Sequence, residues 1–331
     1  MVISFSLLYD TDSPGLLSQV HVPSGHHAAE LEAHEGRCIW SVSHSRLRPH
    51  LCMSSSDDGT ARLWAGRGLS SEALILQPPA PRGSRAASVC CAEFSPYDEH
   101  GVALASADGA VYLFDLRAAA APLLILRHHS RAASYVRFLG PTSLVSSSTD
   151  GTVAMWDVTQ QATGPTAMMC DDAGDGGEGM VAASAAVHPG ELAPVKVMRG
   201  HQNEKNFVGL SVLPEAGLIA CGSESGAAFA YHTSWSTPLA SAVVATASTA
   251  TVTSTLRPAA ASESTGFVSS VCWRPTSAAG AGGMPPGVLA SGTSTGNISL
   301  LMLTKGSSGS GGGSSSSSRE GGGACRRLDW R

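Results

Sequence analysis

The residues best equipped for chemistry in this chain are its twelve histidines, its eight cysteines and a set of acidic turns. His34 stands 24 residues before Asp58, and His129 stands 21 before Asp150. An imidazole near a carboxylate can relay protons, yet no nucleophile–base–acid constellation accompanies either pair. The cysteines, at 38, 52, 90, 91, 170, 221, 272 and 325, form no CxxC pair and no Cys/His ligand box. Several lie in strand-like runs such as Ser88-Val89-Cys90-Cys91-Ala92, where buried, reduced thiols of an intracellular protein are the expectation. Glycine runs lack the Lys-Ser/Thr and the strand-to-helix context of a phosphate cradle. Asn297-Ile298-Ser299 matches a glycosylation sequon by chance, inside an expected strand. No enzyme activity, metal or cofactor is expected.

Charge and hydropathy narrow the partners. A formal net charge of −5 leaves no global basic field for direct nucleic-acid binding. No apolar run approaches the roughly 18–20 residues that span a bilayer, so no membrane partner is expected. Met1 to Leu8 is apolar but lacks a basic n-region and a cleavage pattern, unlike a signal peptide.

The elements that position these residues repeat. Ser56-Asp57-Asp58-Gly59-Thr60 leads to Trp64, Ser106-Ala107-Asp108-Gly109-Ala110 to Phe114, and Ser148-Thr149-Asp150-Gly151-Thr152 to Trp156-Asp157. Ser223-Glu224-Ser225-Gly226-Ala227 leads to Tyr231, and a worn copy runs from Thr293 to Leu301. Asp-Gly between alternating runs marks a tight hairpin, because both central residues need positive φ. Ala133 to Phe138 alternates as a half-buried strand, Leu144 to Ser148 is the next, and Thr152 to Trp156 the third. Each copy reads as four short strands, and the same grammar predicts sheets over 37–65, 87–117, 131–158, 206–233 and 267–303. A period of about 40–45 residues ending in Trp-Asp predicts an all-β WD-repeat β-propeller.

In such repeats His, Ser, the turn Asp and the strand Trp join in one hydrogen-bonded set that satisfies buried polar groups. His34, Asp58 and Trp64 form one expected set, and His129, Asp150 and Trp156 another; His201 takes the same structural role. Ser225 and Thr295 replace the Asp in the last two copies, so those turns are expected to be less rigid. Gly, Ser and Ala dominate 159–194, 240–264, 276–287 and the tail from 304 to 331, which predicts disordered insertions and a disordered end.

Three stretches exceed the generic repeat: Gly200 to Val212 with Ile219 to Glu224, Ala133 to Asp150, and Phe267 to Arg274. Together they resemble the C-terminal propeller of the COP/SPA family (constitutive photomorphogenic and suppressor of phytochrome A) from about Leu31 to Leu303. The resemblance implies a substrate-recognition propeller in a cullin-4 ubiquitin ligase, in nucleus and cytoplasm, that holds Val-Pro peptides of transcription factors or photoreceptors. The matching peptide-binding positions are Arg37, Trp40, Cys90, Arg131, Glu204, Asn206 and Phe207. Trp40 and Phe207 would clasp the Val-Pro pair, and the two arginines would attract acidic flanks. One extra residue between His34 and Trp40 threatens to shift the Trp, and Arg131 stands where the family has Lys. The resemblance also implies that Phe114-Asp115-Leu116-Arg117 is a docking box for the cullin-4 adaptor, with Asp115 and Arg117 in contact. No RING zinc pattern and no heptad repeat occurs, so ubiquitin transfer would fall to COP/SPA partner subunits. The alternative is a general WD-repeat interaction scaffold.

Blade number stays short of the family's seven. Five sheets are legible, residues 1–30 read as the end of a truncated blade at Ser4 to Asp10 and a linker, and the expectation is an incomplete ring from a truncated reading frame. A smaller ring closed by irregular strands from 11–30 and 240–265 is the other reading.

Overall fold

A computed structural model describes residues 3–6, 15–21, 24–66, 71–80, 85–159, 190–244, 266–275, 287–304 and 324–328. The described chain is all-β, with only two single-turn 3-10 segments, His34–Gly36 and Pro214–Ala216. Six sheets follow one another: a three-stranded N-terminal sheet and five blades of four or five strands. Blade 1 is Ile39–His44, Leu51–Ser56, Ala61–Ala65 and Ser71–Leu76, paired in chain order and antiparallel. Blade 2 repeats this with Val89–Phe94, Gly101–Ser106, Ala110–Asp115 and Leu124–Arg127. Blade 3 uses Ala133–Phe138, Ser143–Ser148, Thr152–Asp157 and Lys196–Arg199; blade 4 uses Leu210–Leu213, Leu218–Cys221, Ala227–His232 and Ala240–Val243. Blade 5 is Val268–Trp273, Val288–Thr293, Ile298–Thr304 and Ala324–Leu328.

Each blade extends one strand beyond the range read from the repeat. In blade 3 that outer strand comes after the long insertion, at Lys196–Arg199. Three segments expected to be irregular are strands instead. Ala240–Val243 edges blade 4, Ala324–Leu328 edges blade 5, and Gly190–Leu192 adds a parallel fifth strand to blade 2. Composition alone misled there, because a strand of three to five residues needs only a neighbour's free edge to complete its hydrogen bonds. The remainder of those insertions, 160–189, 245–265, 276–286 and 305–323, lies outside the described residues. At the start of the chain, Ile3–Ser6 pairs with Leu16–His21, which pairs with His26–Glu32. Residues 16–21 and 24–32 therefore carry regular strands and a turn where a linker or irregular strands were expected, while residues 7–14 and 22–23 lie outside the description.

The core lies between sheets. Leu17 and Ala33 pack on Ile39, Cys52 and Trp64. Leu51, Met53 and Leu63 meet Phe94, Leu104 and Phe114; Val111 and Leu126 meet Phe138, Leu144 and Trp156. Val145, Val153 and Met198 meet Leu210, Ile219 and Tyr231, and Leu218 and Ala230 meet Trp273, Leu289 and Leu301. Full burial of one such side chain contributes about 1.5–3 kcal/mol, so each joint rests on several of these. At the joint of blades 4 and 5 the backbones themselves come close. A Cβ on Gly209 would lie 2.7 Å from the Val271 amide nitrogen, and one on Gly222 would press on the Val268 carbonyl. Glycine there is a packing requirement, since backbone cannot retreat from an added methyl.

Cys52, Cys90, Cys91 and Cys221 are buried free thiols, as the strand context implied, whereas Cys272 is exposed on the first strand of the last blade. Among the described residues no helix is long and apolar enough to cross a membrane.

Candidate functional site

The polar sets fix the hairpins of the site-bearing face. In blade 1, Trp64 Nε1–H donates to Ser54 Oγ at 2.8 Å, and Ser54 Oγ meets His34 Nε2 at 2.7 Å. His34 Nδ1 meets Asp58 Oδ2 at 2.8 Å. Blade 3 repeats the chain: Trp156 to Ser146 at 2.9 Å, Ser146 to His129 at 2.8 Å, and His129 to Asp150 at 3.3 Å. Burial alone would raise the Asp58 carboxyl, but hydrogen bonds from His34 and Thr60 and the histidine's charge outweigh it and draw the group down to about 2. Blade 2 places Leu104 and Phe114 where Ser and Trp stand elsewhere, and its turn Asp108 accepts the Tyr112 hydroxyl instead. Blade 4 keeps only part of the set. His201 Nδ1 bonds the Tyr231 hydroxyl at 2.9 Å, while its Nε2 is buried without a hydrogen-bond partner.

The extra residue ahead of Trp40 does not displace it. His34, Glu35 and Gly36 all take positive φ, at 56°, 54° and 73°, and this tight left-handed turn absorbs the added length. Register then resumes: Ile39 pairs with Ser56 as Ala133 pairs with Ser148. A bulge follows at once in both inner strands, at Trp40 and at Ser134, and blade 2 has the same bulge at Cys90. Bulges re-aim a side chain, and here one of them carries an indole.

Trp40, 37% exposed, meets Phe207 with ring centroids 5.0 Å apart. Tyr135 stands edge-on to Phe207 at 6.2 Å. Three aromatics from blades 1, 3 and 4 thus form one patch. The rings touch, so an incoming residue meets a joined aromatic surface and not an open slot between two walls. The Trp40 indole N–H donates to Asp57 Oδ1 at 2.5 Å, which fixes its rotation. Beneath the patch the Arg137 guanidinium lies 5.7 Å from the centre of the Tyr135 ring and donates to Glu93 Oε2 at 3.0 Å across the joint of blades 2 and 3.

Arg37 and Arg131 are exposed on the segments that lead into the inner strands of blades 1 and 3. Glu204 is exposed and Asn206 half-buried on the loop that carries Phe207. That loop is clasped by Glu224, whose Oε1 accepts the amides of Lys205 at 2.8 Å and Asn206 at 2.6 Å and the Asn206 side chain at 3.0 Å. Burial raises the Glu224 carboxyl, these donors lower it, and the net shift is downward, so it stays ionised. Cys90 is 3% exposed and its thiol is pushed up to about 12 by burial, which leaves it a neutral apolar group. Sequence reasoning missed Asp57, Tyr135 and Glu224 as site residues. Asp57 adjoins the turn Asp, and Tyr135 follows a bulge as Ser41 does, but neither position announces a role without the fold.

Strand Ala110–Asp115 runs from the Asp108-Gly109 hairpin to the opposite face, and there Arg117 folds back on Asp115. Its Nε donates to Oδ1 at 2.9 Å, and these bonds bring the half-buried Asp115 carboxyl down to about 2. Phe114 beside them is buried.

Radial four-stranded sheets joined face to face, with a His–Asp–Ser–Trp set in blades 1 and 3, define a WD-repeat β-propeller. The family described as "WD domain, G-beta repeat" matches residues 25–65 and 120–157. The chain is 32% identical over 300 residues to Protein SUPPRESSOR OF PHYA-105 1 of Arabidopsis thaliana, covering 89% of this chain and 24% of that one. It is 30% identical over 293 residues to E3 ubiquitin-protein ligase COP1 of Arabidopsis thaliana, 88% of this chain and 35% of the relative. WD repeat-containing protein RUP2 of the same plant is 32% identical over 249 residues, 74% of this chain and 55% of the relative. The chain therefore carries a WD-repeat propeller of the COP/SPA family, and it spans between about a quarter and a little over half of the length of these relatives.

Proposed function

We propose that this propeller is the substrate-recognition part of a COP/SPA-type cullin-4 ubiquitin ligase in light signalling, acting in the nucleus and cytoplasm without catalysis of its own. Its guest is a Val-Pro peptide with acidic flanks, from a transcription factor or photoreceptor. One observation carries the reading: Trp40 and Phe207, far apart in the chain, meet at 5.0 Å on the face that also presents Arg37 and Arg131. Flat aromatic surface suits the stiff, apolar Val-Pro pair, and exposed guanidinium groups suit its acidic neighbours. Glu204 and Asn206 flank the patch, and Cys90 lies buried beside it. Asp115 and Arg117, on the opposite face, serve the adaptor contact, and COP/SPA partner subunits supply the transfer chemistry.

The test is a titration with a labelled acidic Val-Pro peptide. Trp40→Ala together with Phe207→Ala is expected to weaken binding at least tenfold, with the thermal melt retained. Equal affinity for the parent and the double variant removes the assignment. The second reading is a general interaction scaffold. It is favoured by the Arg117–Asp115 ion pair, which part-neutralises the docking arginine before any adaptor arrives. A pulldown that recovers neither the cullin-4 adaptor nor a Val-Pro protein would select it.

A further inference from the structure

The outer edge of blade 2 carries the one parallel pairing among the described strands. Leu124 pairs with Gly190, Ile125 with Glu191 and Leu126 with Leu192. Leu192 is 7% exposed and joins the apolar cluster of Leu126, Leu144 and Trp156, at the joint of blades 2 and 3. This segment belongs by sequence to neither edge. It falls between Thr152–Asp157 and Lys196–Arg199, two antiparallel neighbours of blade 3 that a hairpin of about 2–5 residues would connect. Instead the chain departs after blade 3's third strand, lays three residues along the neighbouring blade, and returns.

Any propeller blade ends in a strand whose outward N–H and C=O groups are unpaired, a template for one more strand. Blade 2 adds an apolar hollow beside its edge that takes a leucine side chain. We propose that this edge and hollow form a strand-accepting groove, separate from the aromatic patch and occupied here in cis by Gly190–Leu192. In trans it takes an extended partner segment of the pattern small–x–Leu. Main-chain pairing gives such a site its affinity and the leucine hollow its selectivity. The cis strand is a weak occupant by construction. Three paired residues supply few hydrogen bonds, so a longer strand that makes more of them outcompetes it. A longer partner strand with the same leucine displaces it, and Gly190–Leu192 then regulates access to the rim between blades 2 and 3.

A fluorescent peptide of sequence His-Pro-Gly-Glu-Leu-Ala-Pro, copied from residues 188–194, serves as probe. Against the full chain bearing Leu192→Asp, which ejects the cis strand, it is expected to bind at least tenfold more tightly than against the parent. The same peptide with aspartate in place of leucine is expected to bind neither. Equal binding of both peptides overturns the proposal, as does a folded variant that binds neither peptide. A variant that pairs with its own copy, seen as a dimer in size-exclusion chromatography, also overturns it in favour of strand exchange. Hydrogen exchange on the parent decides the matter if the variant does not fold. Excess probe should speed exchange of the 190–192 amides while those of 124–126 stay protected, and no change in 190–192 sinks the idea.

Discussion

Replacing Ser146 with alanine is expected to cost about 3 kcal/mol of folding stability, far more than the loss of one exposed hydroxyl. Ser146 Oγ accepts the Trp156 indole N–H at 2.9 Å and meets His129 Nε2 at 2.8 Å, and all three side chains are buried. With Nδ1 of His129 turned to Asp150, the serine hydroxyl donates to Nε2 while it accepts from the indole, so one oxygen satisfies two neighbours. Alanine strands both. Each buried polar group left without a partner costs about 1–3 kcal/mol, and the two together set the figure. Blade 2 shows the other stable solution, because Leu104 and Phe114 fill the equivalent places with nothing to satisfy. It follows that Ser146→Ala combined with Trp156→Phe should lose less than the two single changes summed, since the orphaned indole N–H is gone. Urea unfolding of the four proteins measures this, and a Ser146→Ala change within about 0.5 kcal/mol of the parent would contradict it.

Acid is expected to weaken the chain first through blade 4. His201 is 5% exposed, and burial lowers its imidazolium from 6.5 to about 4, against a smaller upward pull from the Asp150 charge. The unfolded chain takes up that proton near pH 6.5, while the folded chain refuses it until about 4. Stability tied to this group is complete above pH 6.5 and declines as pH falls through the window, by about 3 kcal/mol at pH 4. The cause is the incomplete polar set: Cys221 sits in the serine's place and Ser225 in the aspartate's, so Nε2 has no partner to hold a proton against. Asp58, held at about 2, adds its own loss only below the ordinary carboxylate range, and the two events separate on the pH axis. Urea midpoints from pH 7 to 4 should slope in the parent. They should flatten in His201→Phe, whose stability at pH 7 is lower because the Tyr231 hydroxyl loses its ring nitrogen. A parent without slope between pH 6.5 and 4 would refute the assignment.

Much of the fold could be read locally. The Asp-Gly hairpins, the alternation of Ala133–Phe138, and the spacing of His34 from Asp58 each involve a few residues whose backbone preferences and polar needs leave little choice. These features marked the span of each repeat, three strands of the third and the members of both complete polar sets. A fourth strand per blade was expected but lay beyond the ranges read, because sequences such as Lys196–Arg199 are unremarkable and what makes them strands is the edge they complete. The same holds for Gly190–Leu192, which composition assigned to a disordered insertion.

The site divides along the same line. That Trp40, Phe207, Arg37 and Arg131 bear on recognition was available from residue types and their resemblance to a family phrase. That Asp57 pins the indole and Glu224 clasps the loop of Asn206 follows from the folding of single blades, and that Trp40 and Phe207 touch follows only from how the blades are set around their axis. Turn chemistry and periodicity act over a handful of bonds and are written into the chain itself. Contacts between residues more than a hundred positions apart depend on the accumulated twist and packing of every blade between them, which no short stretch of residues specifies.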